Sequence, residues 1–289
     1  MRWLSVVQVS VVAAVAAATF ALVSSPAVEG QARAGAIPRA NGKPDLNGLW
    51  QAVNSANYDI QAHTAKAALQ MRPGPIVPIP AKEVLALGAV GSVPSGIGVV
   101  DGDELPYTAE GLKKKQENQD NWLTRDPEIK CYLPGVPRAM YMAQPLQIIQ
   151  STKNIMMAFQ YAGAVRTVYM DDHKEAPADS WMGWSNGHWE GETLVVDSTG
   201  FNDLSWFDRS GNFHSDALHV VERITAASPD HLNWEATIED TKVFSRPWKM
   251  SMTLYRRKEK GARLLEFRCV EFVEDLIYGH LRKPGTPTP

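Results

Sequence analysis

The residues best suited to acid–base chemistry lie between positions 171 and 223. Asp171-Asp172-His173 puts a histidine directly after two carboxylates, and such a histidine can serve as a base. Further on, His214 precedes the run 219–225, HVVERIT, where Glu222 and Arg223 are adjacent. On a strand, His219, Val221 and Arg223 share one face and Val220, Glu222 and Ile224 the other. Whichever face turns inward therefore carries an ionisable group. Inside a barrel that group is costly unless paired. It reads as a structural ion pair, for example Arg223 with Asp197 or Glu266, or as a working group in a pocket. His214, Glu222, Arg223, Asp171 and His173 are the candidate catalytic residues.

Aromatic side chains form the second constellation. Trp184, Trp189, Trp206, Trp234 and Trp248, with Phe201 and Met252, could line a cavity suited to a flat apolar or sugar-like ligand. An ordinary aromatic core would use the same residues. Ser185 sits in Gly183-Trp184-Ser185-Asn186-Gly187, spelled like a nucleophile elbow. That motif needs a strand–turn–helix setting, and here it runs into another strand, so a serine-hydrolase triad is rejected. None of the seven histidines belongs to an H-E-x-x-H, H-x-H or Cys-His cluster. No metal and no cofactor are expected.

These candidates must be positioned by the elements around them. Residues 6–23 are almost wholly apolar after a basic start, and Ala32-Arg33-Ala34 is a small-x-small site. That is the layout of a secretory signal peptide over 1–34, cleaved after Ala34 or, alternatively, Ala27; an uncleaved anchor is the competing reading. No later stretch is long and apolar enough to span a bilayer. The formal net charge of −3 gives no argument for nucleic acid or an anionic membrane. Two cysteines, Cys131 and Cys269, read as a bridge in an exported protein, with two buried thiols as the alternative. Closing about 140 residues would contribute at most roughly 4–5 kcal/mol by chain entropy.

Residues 35–47 read as a flexible lead-in, and 48–280 as one domain. The spacing of apolar residues predicts a helix over 58–71, ending before Pro73. Residues 72–106 are rich in proline and glycine without periodicity, a long irregular excursion. A polar helix follows over 108–122. From Pro145 the chain changes to β-like runs: 145–151, 154–161, 165–170, a hairpin within 181–202 turning at Glu190-Gly191-Glu192, 219–225, 231–239, 248–256 and 264–269. The expected fold is mainly all-β: an antiparallel meander closing into a lipocalin-like barrel with a few peripheral helices. A two-sheet sandwich is the alternative. The tail 281–289 reads as disordered.

Gly48-Leu49-Trp50, opening the first strand before a meander, looks like the G-x-W signature of lipocalins and related calycin barrels. The chain from Pro44 onward also resembles a poorly characterised family of exported bacterial β-rich proteins. The matching residues are Pro44-Asp45-Leu46, Gly48, Trp50, Asp126-Pro127, Cys131, Pro134-Gly135 and Pro137-Arg138. They continue with Gly183, Ser185, Gly187, Trp189-Glu190-Gly191, Thr193 and Leu194-Val195-Val196. Gly200-Phe201-Asn202-Asp203, Gly211, His214-Ser215, residues 218–223 and Cys269 complete them. Glu192 stands where the family pattern has Asp. The resemblance implies fold and export, and little about chemistry.

The functional expectation is an exported barrel that binds a small apolar or aromatic molecule in a Trp-lined pocket. The alternatives are a cofactor-independent lyase, isomerase or hydrolase using histidine and carboxylate groups in the same barrel, and a structural envelope protein without a pocket. Oligomeric state is left open. If the N-terminal segment is a cleaved signal, the intact mass of the protein made in a secreting bacterium will place its first residue at Gly35, or at Val28 for the alternative site. An intact Met1 start in the exported fraction would refute this.

Overall fold

Alternation of apolar and polar residues builds the sheet. In β10 (His231–Glu239), Leu232, Trp234, Ala236 and Ile238 are buried, while Asn233 and Glu235 are exposed. Its hairpin partner β9 (His219–Ser228) buries Val220, Glu222, Ile224 and Ala226. The computed structural model describes residues 35–65, 93–170 and 173–273. The expected signal segment, residues 66–71 of the expected helix, Asp171, residues 72–92 of the excursion and the C-terminal tail lie outside the described residues.

Nine strands close into one barrel: β3 (Gly48–Ala52), β4 (Leu146–Gln150), β5 (Asn154–Phe159), β6 (Val165–Tyr169), β7 (Trp184–Glu190), β8 (Thr193–Thr199), β9, β10 and β11 (Trp248–Arg256), in that order, with β11 returning to β3. The barrel, not the sandwich, is the architecture. Closure removes the free edges that an open sheet would expose. A ring with an odd number of strands cannot alternate direction all the way round. One joint must be parallel, and it is β6/β7, where Val168 pairs with Ser185 and Tyr169 with Asn186. Residues 170–183 supply the crossover that a parallel pair needs. The meander is therefore antiparallel except at this joint.

The parallel joint has a local cause for its close approach. Gly187 faces Val168 and Met170, and a Cβ there would collide with both side chains. The hairpin within 181–202 forms as expected, β7 and β8 pairing from Trp184/Thr199 to Glu190/Thr193.

One end of the barrel is stoppered by the lead-in, which is not a loose tail. β1 (Arg39–Ala40) and β2 (Lys43–Pro44) form a short hairpin. Arg39 pairs with Glu192, and the Lys43 ammonium lies 5.7 Å from the centre of the Trp189 ring. Leu46 is fully buried and its carbonyl accepts the Trp50 indole N–H at 2.9 Å. Arg256, at the end of the last strand, lies 4.1 Å from the Trp50 ring centre and donates to the carbonyls of Asn47 and Pro229. Gly48, at φ +142°, sits where any Cβ would strike that guanidinium.

The other end is covered by residues 53–65, 93–145, 200–218 and 240–247. Helix α1 (Ala109–Asp120) is capped by the Thr108 side chain, which accepts from the Gly111 N–H, and a single turn α2 (Trp122–Arg125) follows. Between the two ends the interior is filled. Trp50, Leu194, Val196, Trp234, Met250 and Leu254 expose none of their surface, so no water-sized void lies against them.

Two expected elements differ. Residues 58–65 form turns and a bridge between His63 and Gly96 instead of the start of a helix, because backbone bonds to 93–99 replace local ones. Residues 264–269 have strand-like composition but no ladder. The barrel is complete without them, and the Cys131–Cys269 disulfide (Cα–Cα 5.7 Å) ties them to the outside.

Arg256→Met keeps the aliphatic length but deletes the contact over Trp50 and two charge-assisted hydrogen bonds. The expected loss is about 2 kcal/mol in the urea unfolding free energy. A loss under about 0.5 kcal/mol would show that the stopper does not depend on Arg256.

Candidate functional site

Glu222 is the ionisable group that the 219–225 strand turns inward, and it is fully buried. Its charge is met by Arg166 on β6, 3% exposed, whose Nη2 donates to Glu222 Oε2 and, at 2.8 Å, to Ser198 Oγ. Arg166 Nε donates to Ser185 Oγ at 2.8 Å, and Ser185 and Ser198 hydroxyls lie 3.0 Å apart. Trp234 Nε1 donates to the other Glu222 oxygen at 2.8 Å. The network thus runs along the inner wall from β6 through β7, β8 and β9 to β10. Only Arg166 Nη1 has no hydrogen-bond partner in it. A buried pair of this kind is held by mutual compensation. Ser185, from the G-x-S-x-G stretch, is one of its donors and acceptors and not a nucleophile at a turn.

Arg223 faces the opposite way. On the outer surface its Nη2 lies 2.8 Å from Glu190 Oε2, and this bond, with that from His188, holds the Glu190 carboxyl below its usual range. The pairing with Asp197 or Glu266 does not form; Asp197 belongs to His219 instead. His219 Nε2 is 3.0 Å from Asp197 and Nδ1 is 3.4 Å from Glu239. Half-burial lowers its pKa, but the bond to Asp197 and then that to Glu239 outweigh it, and the imidazole is held above its ordinary value.

His214 lies in the cover over the far end of the barrel. Its Nδ1 must donate to the Ser215 carbonyl at 2.9 Å, since a carbonyl only accepts, so neutral His214 presents Nε2 as acceptor to Ser205 Oγ at 2.7 Å. A histidine so placed can activate a serine. Both residues are buried, however, and Ser205 packs directly on Gly135, so the pair is closed to substrate. Burial against Phe201 and Phe207 pushes the imidazole pKa down. Glu222 lies in the barrel wall network and Arg223 outside, so these three candidates do not meet. His173 is exposed on the crossover.

The same cover holds a second buried polar cluster. Asp208 accepts from the N–H groups of Ile60, Ser210 and Asn212 and from the Asn212 side chain. Burial and the nearby Asp59 charge push its carboxyl up to about 7. Asp126 and Glu128 meet Arg138 at 3.3 and 2.7 Å, and Glu128 also takes Arg209 at 2.8 Å. Asp126 and Arg138, both in the D-P to P-R stretch, are thus partners in one anchor. Among the described residues no group of three or more His, Cys, Asp or Glu is arranged to hold a metal.

The tryptophans do not share a wall. Trp234 is in the barrel core and Trp189 is under Lys43. Trp184 stacks on Tyr169 at 4.4 Å on the outer face. Trp248 packs edge-on to Phe207 and Phe244 at the covered end, where Phe201 and Trp206 are also buried.

Open space lies elsewhere, at a fork in the barrel wall. β11 pairs with β3 only from Leu254 to Arg256, whereas at Met250 it is bridged by Val100, and Ser251 N–H donates to the Val99 carbonyl. Where β3 leaves and 93–100 arrives, a groove of about 490 Å³ opens, lined by residues 53–56, 94–99, 251–253 and Tyr255. Val53, Ile97 and Tyr255 at this groove are 74%, 96% and 41% exposed. Asn54, Ser55, Ser95 and Thr253 supply polar groups. Of the residues lining it, the sequence singled out only Met252; Val53 and Ile97 sit in irregular segments where no periodicity marks a face. No protein-family model, no curated protein and no solved structure matches this chain.

Glu222→Gln keeps the acceptor for Trp234 but leaves Arg166 buried without a counter-charge. It should cost about 3–5 kcal/mol of unfolding free energy, and Arg166→Met in the same chain should recover most of it. A cost below about 1 kcal/mol for Glu222→Gln alone would refute the compensated pair.

Proposed function

We propose that this is an exported, non-catalytic binding protein that takes a small, largely apolar or aromatic ligand in the fork groove on the barrel wall. The observation that carries the reading is the groove itself. Its volume falls in the range of small-molecule sites, and it combines exposed apolar side chains with a few polar groups able to orient one end of a ligand. Exposed aliphatic surface of this kind is a cost that ligand binding would offset. The filled interior is why the ligand is assigned to the wall and not to a pocket lined by Trp184, Trp189 or Trp234. Export is supported by the Cys131–Cys269 disulfide, which suits an oxidising compartment, and by the layout of residues 1–34.

The barrel then serves as a rigid frame: β11 fixes one lip of the groove, while residues after β3 and those leading to Val100 form the other. The test is titration of the mature protein with N-phenyl-1-naphthylamine, read by fluorescence. A single saturable site is expected in the wild type. Ile97→Asp should weaken it by about tenfold or more, since it sets a carboxylate against bound apolar surface. Val165→Asp, remote from the groove, should leave it unchanged. Equal binding by wild type and Ile97→Asp, or none by the wild type, would overturn the assignment.

A further inference from the structure

Residues 264–270, Leu-Leu-Glu-Phe-Arg-Cys-Val, have the composition of a strand but pair with no ladder among the described residues. They are held to the body at few points. The disulfide joins Cys269 to Cys131, the Phe267 ring lies 4.9 Å from that of Tyr161, and Leu265 N–H donates to Gln160 Oε1 at 3.0 Å. Beside them runs a groove of about 500 Å³, whose lining includes Ala158, Phe159, Val165 and Leu265. Val165, Leu265 and the adjacent Val270 are each more than half exposed. The nine barrel strands hide their edges by closing, yet this run is left with its backbone and much of its aliphatic surface in water. Such a run is a template for pairing.

The chemistry of the run selects its own copy as partner. About Phe267 the sequence is complementary in charge: Glu266 on one side, Arg268 on the other, flanked by apolar residues. We propose that the protein forms a two-fold dimer in which residues 264–270 of two chains pair antiparallel about Phe267. Glu266 then lies opposite the partner's Arg268, and Arg268 opposite the partner's Glu266. Leu264 faces the partner's Val270. The contact is isologous, so one favourable pairing is made twice. Within a single chain Glu266 and Arg268 contact each other at 2.5 Å with both side chains largely in water, where an ion pair contributes little. In the dimer both charges gain a cross-strand partner while Leu265 and Val270 lose water. The groove assigned to ligand lies elsewhere on the barrel and plays no part in this contact.

The experiment is sedimentation equilibrium of the mature, oxidised chain over a concentration series. The wild type should reach the mass of a dimer. Glu266→Arg and Arg268→Glu each put like charges opposite one another at two symmetry-related positions, and each should weaken association by on the order of tenfold or more. The double variant E266R/R268E restores opposite charges and should return association to near the wild-type level. Because both side chains are exposed, near-ultraviolet circular dichroism should be the same for all four proteins. A wild type that stays monomeric throughout, or a dimer equally strong in both single variants, would overturn the proposal.

Discussion

A closed ring of nine strands has to contain a parallel joint, and here that joint is the shortest ladder in the barrel. β6 and β7 share the pairs Val168/Ser185 and Tyr169/Asn186 and no others, against the long antiparallel ladders of β8, β9 and β10. The buried network crosses this thin joint from inside. Arg166 stands on β6 and bonds to Ser185 on β7, Ser198 on β8 and Glu222 on β9. Side-chain hydrogen bonds thus reinforce the place where backbone bonds are fewest. Charges in a core are usually a liability, but here each has its counterpart within reach, and Trp234 satisfies the remaining carboxylate oxygen. Gly187 allows the two strands to approach closely.

The second short ladder, β11 with β3, is handled differently. Trp50 and Arg256 lock it at one end, with the lead-in packed beneath. At the other end the strands part, and residues 99–100 take over as the neighbour of β11. The barrel is closed there by two partners in succession, and the seam between them is the fork groove. The open space at this fork arises from how the ring is closed. The catalytic candidates are dispersed by the same geometry: one side chain from 219–225 goes in, its neighbour goes out, and His214 is buried in the cover.

Much of the fold was legible in the sequence. Alternation in 231–239 and 248–256 is a short-range signal, set by the two-residue period of a strand, and it survives in the structure except at Met252 and Thr253, which are both half-buried. The hairpin at Glu190-Gly191-Glu192, the capped helix after Thr108 and the Cys131–Cys269 bridge follow likewise from local chemistry and from there being only two cysteines. The same local signals overreached where long-range contacts won. Residues 58–71 have helical spacing, but in the described part, 58–65, bonds to 93–99 hold the chain otherwise. Residues 264–269 have strand composition, but the ring has no vacancy for them.

By itself, then, the sequence determined most of the segments that become barrel strands, which face of most of them is apolar, and which cysteines can pair, because each depends on neighbours a few residues away or on composition alone. Only the tertiary structure decided that Glu222 and not Arg223 is inside. Both faces of 219–225 carry a charge, and a shift of one residue would exchange them; the choice falls to Arg166, 56 residues earlier in the chain. It also decided that Ser205 and His214 meet, that the tryptophans are scattered, and that the fork groove is framed by Val53, Ile97 and Tyr255. These are meetings of segments far apart in sequence, and no periodicity within any one segment records them.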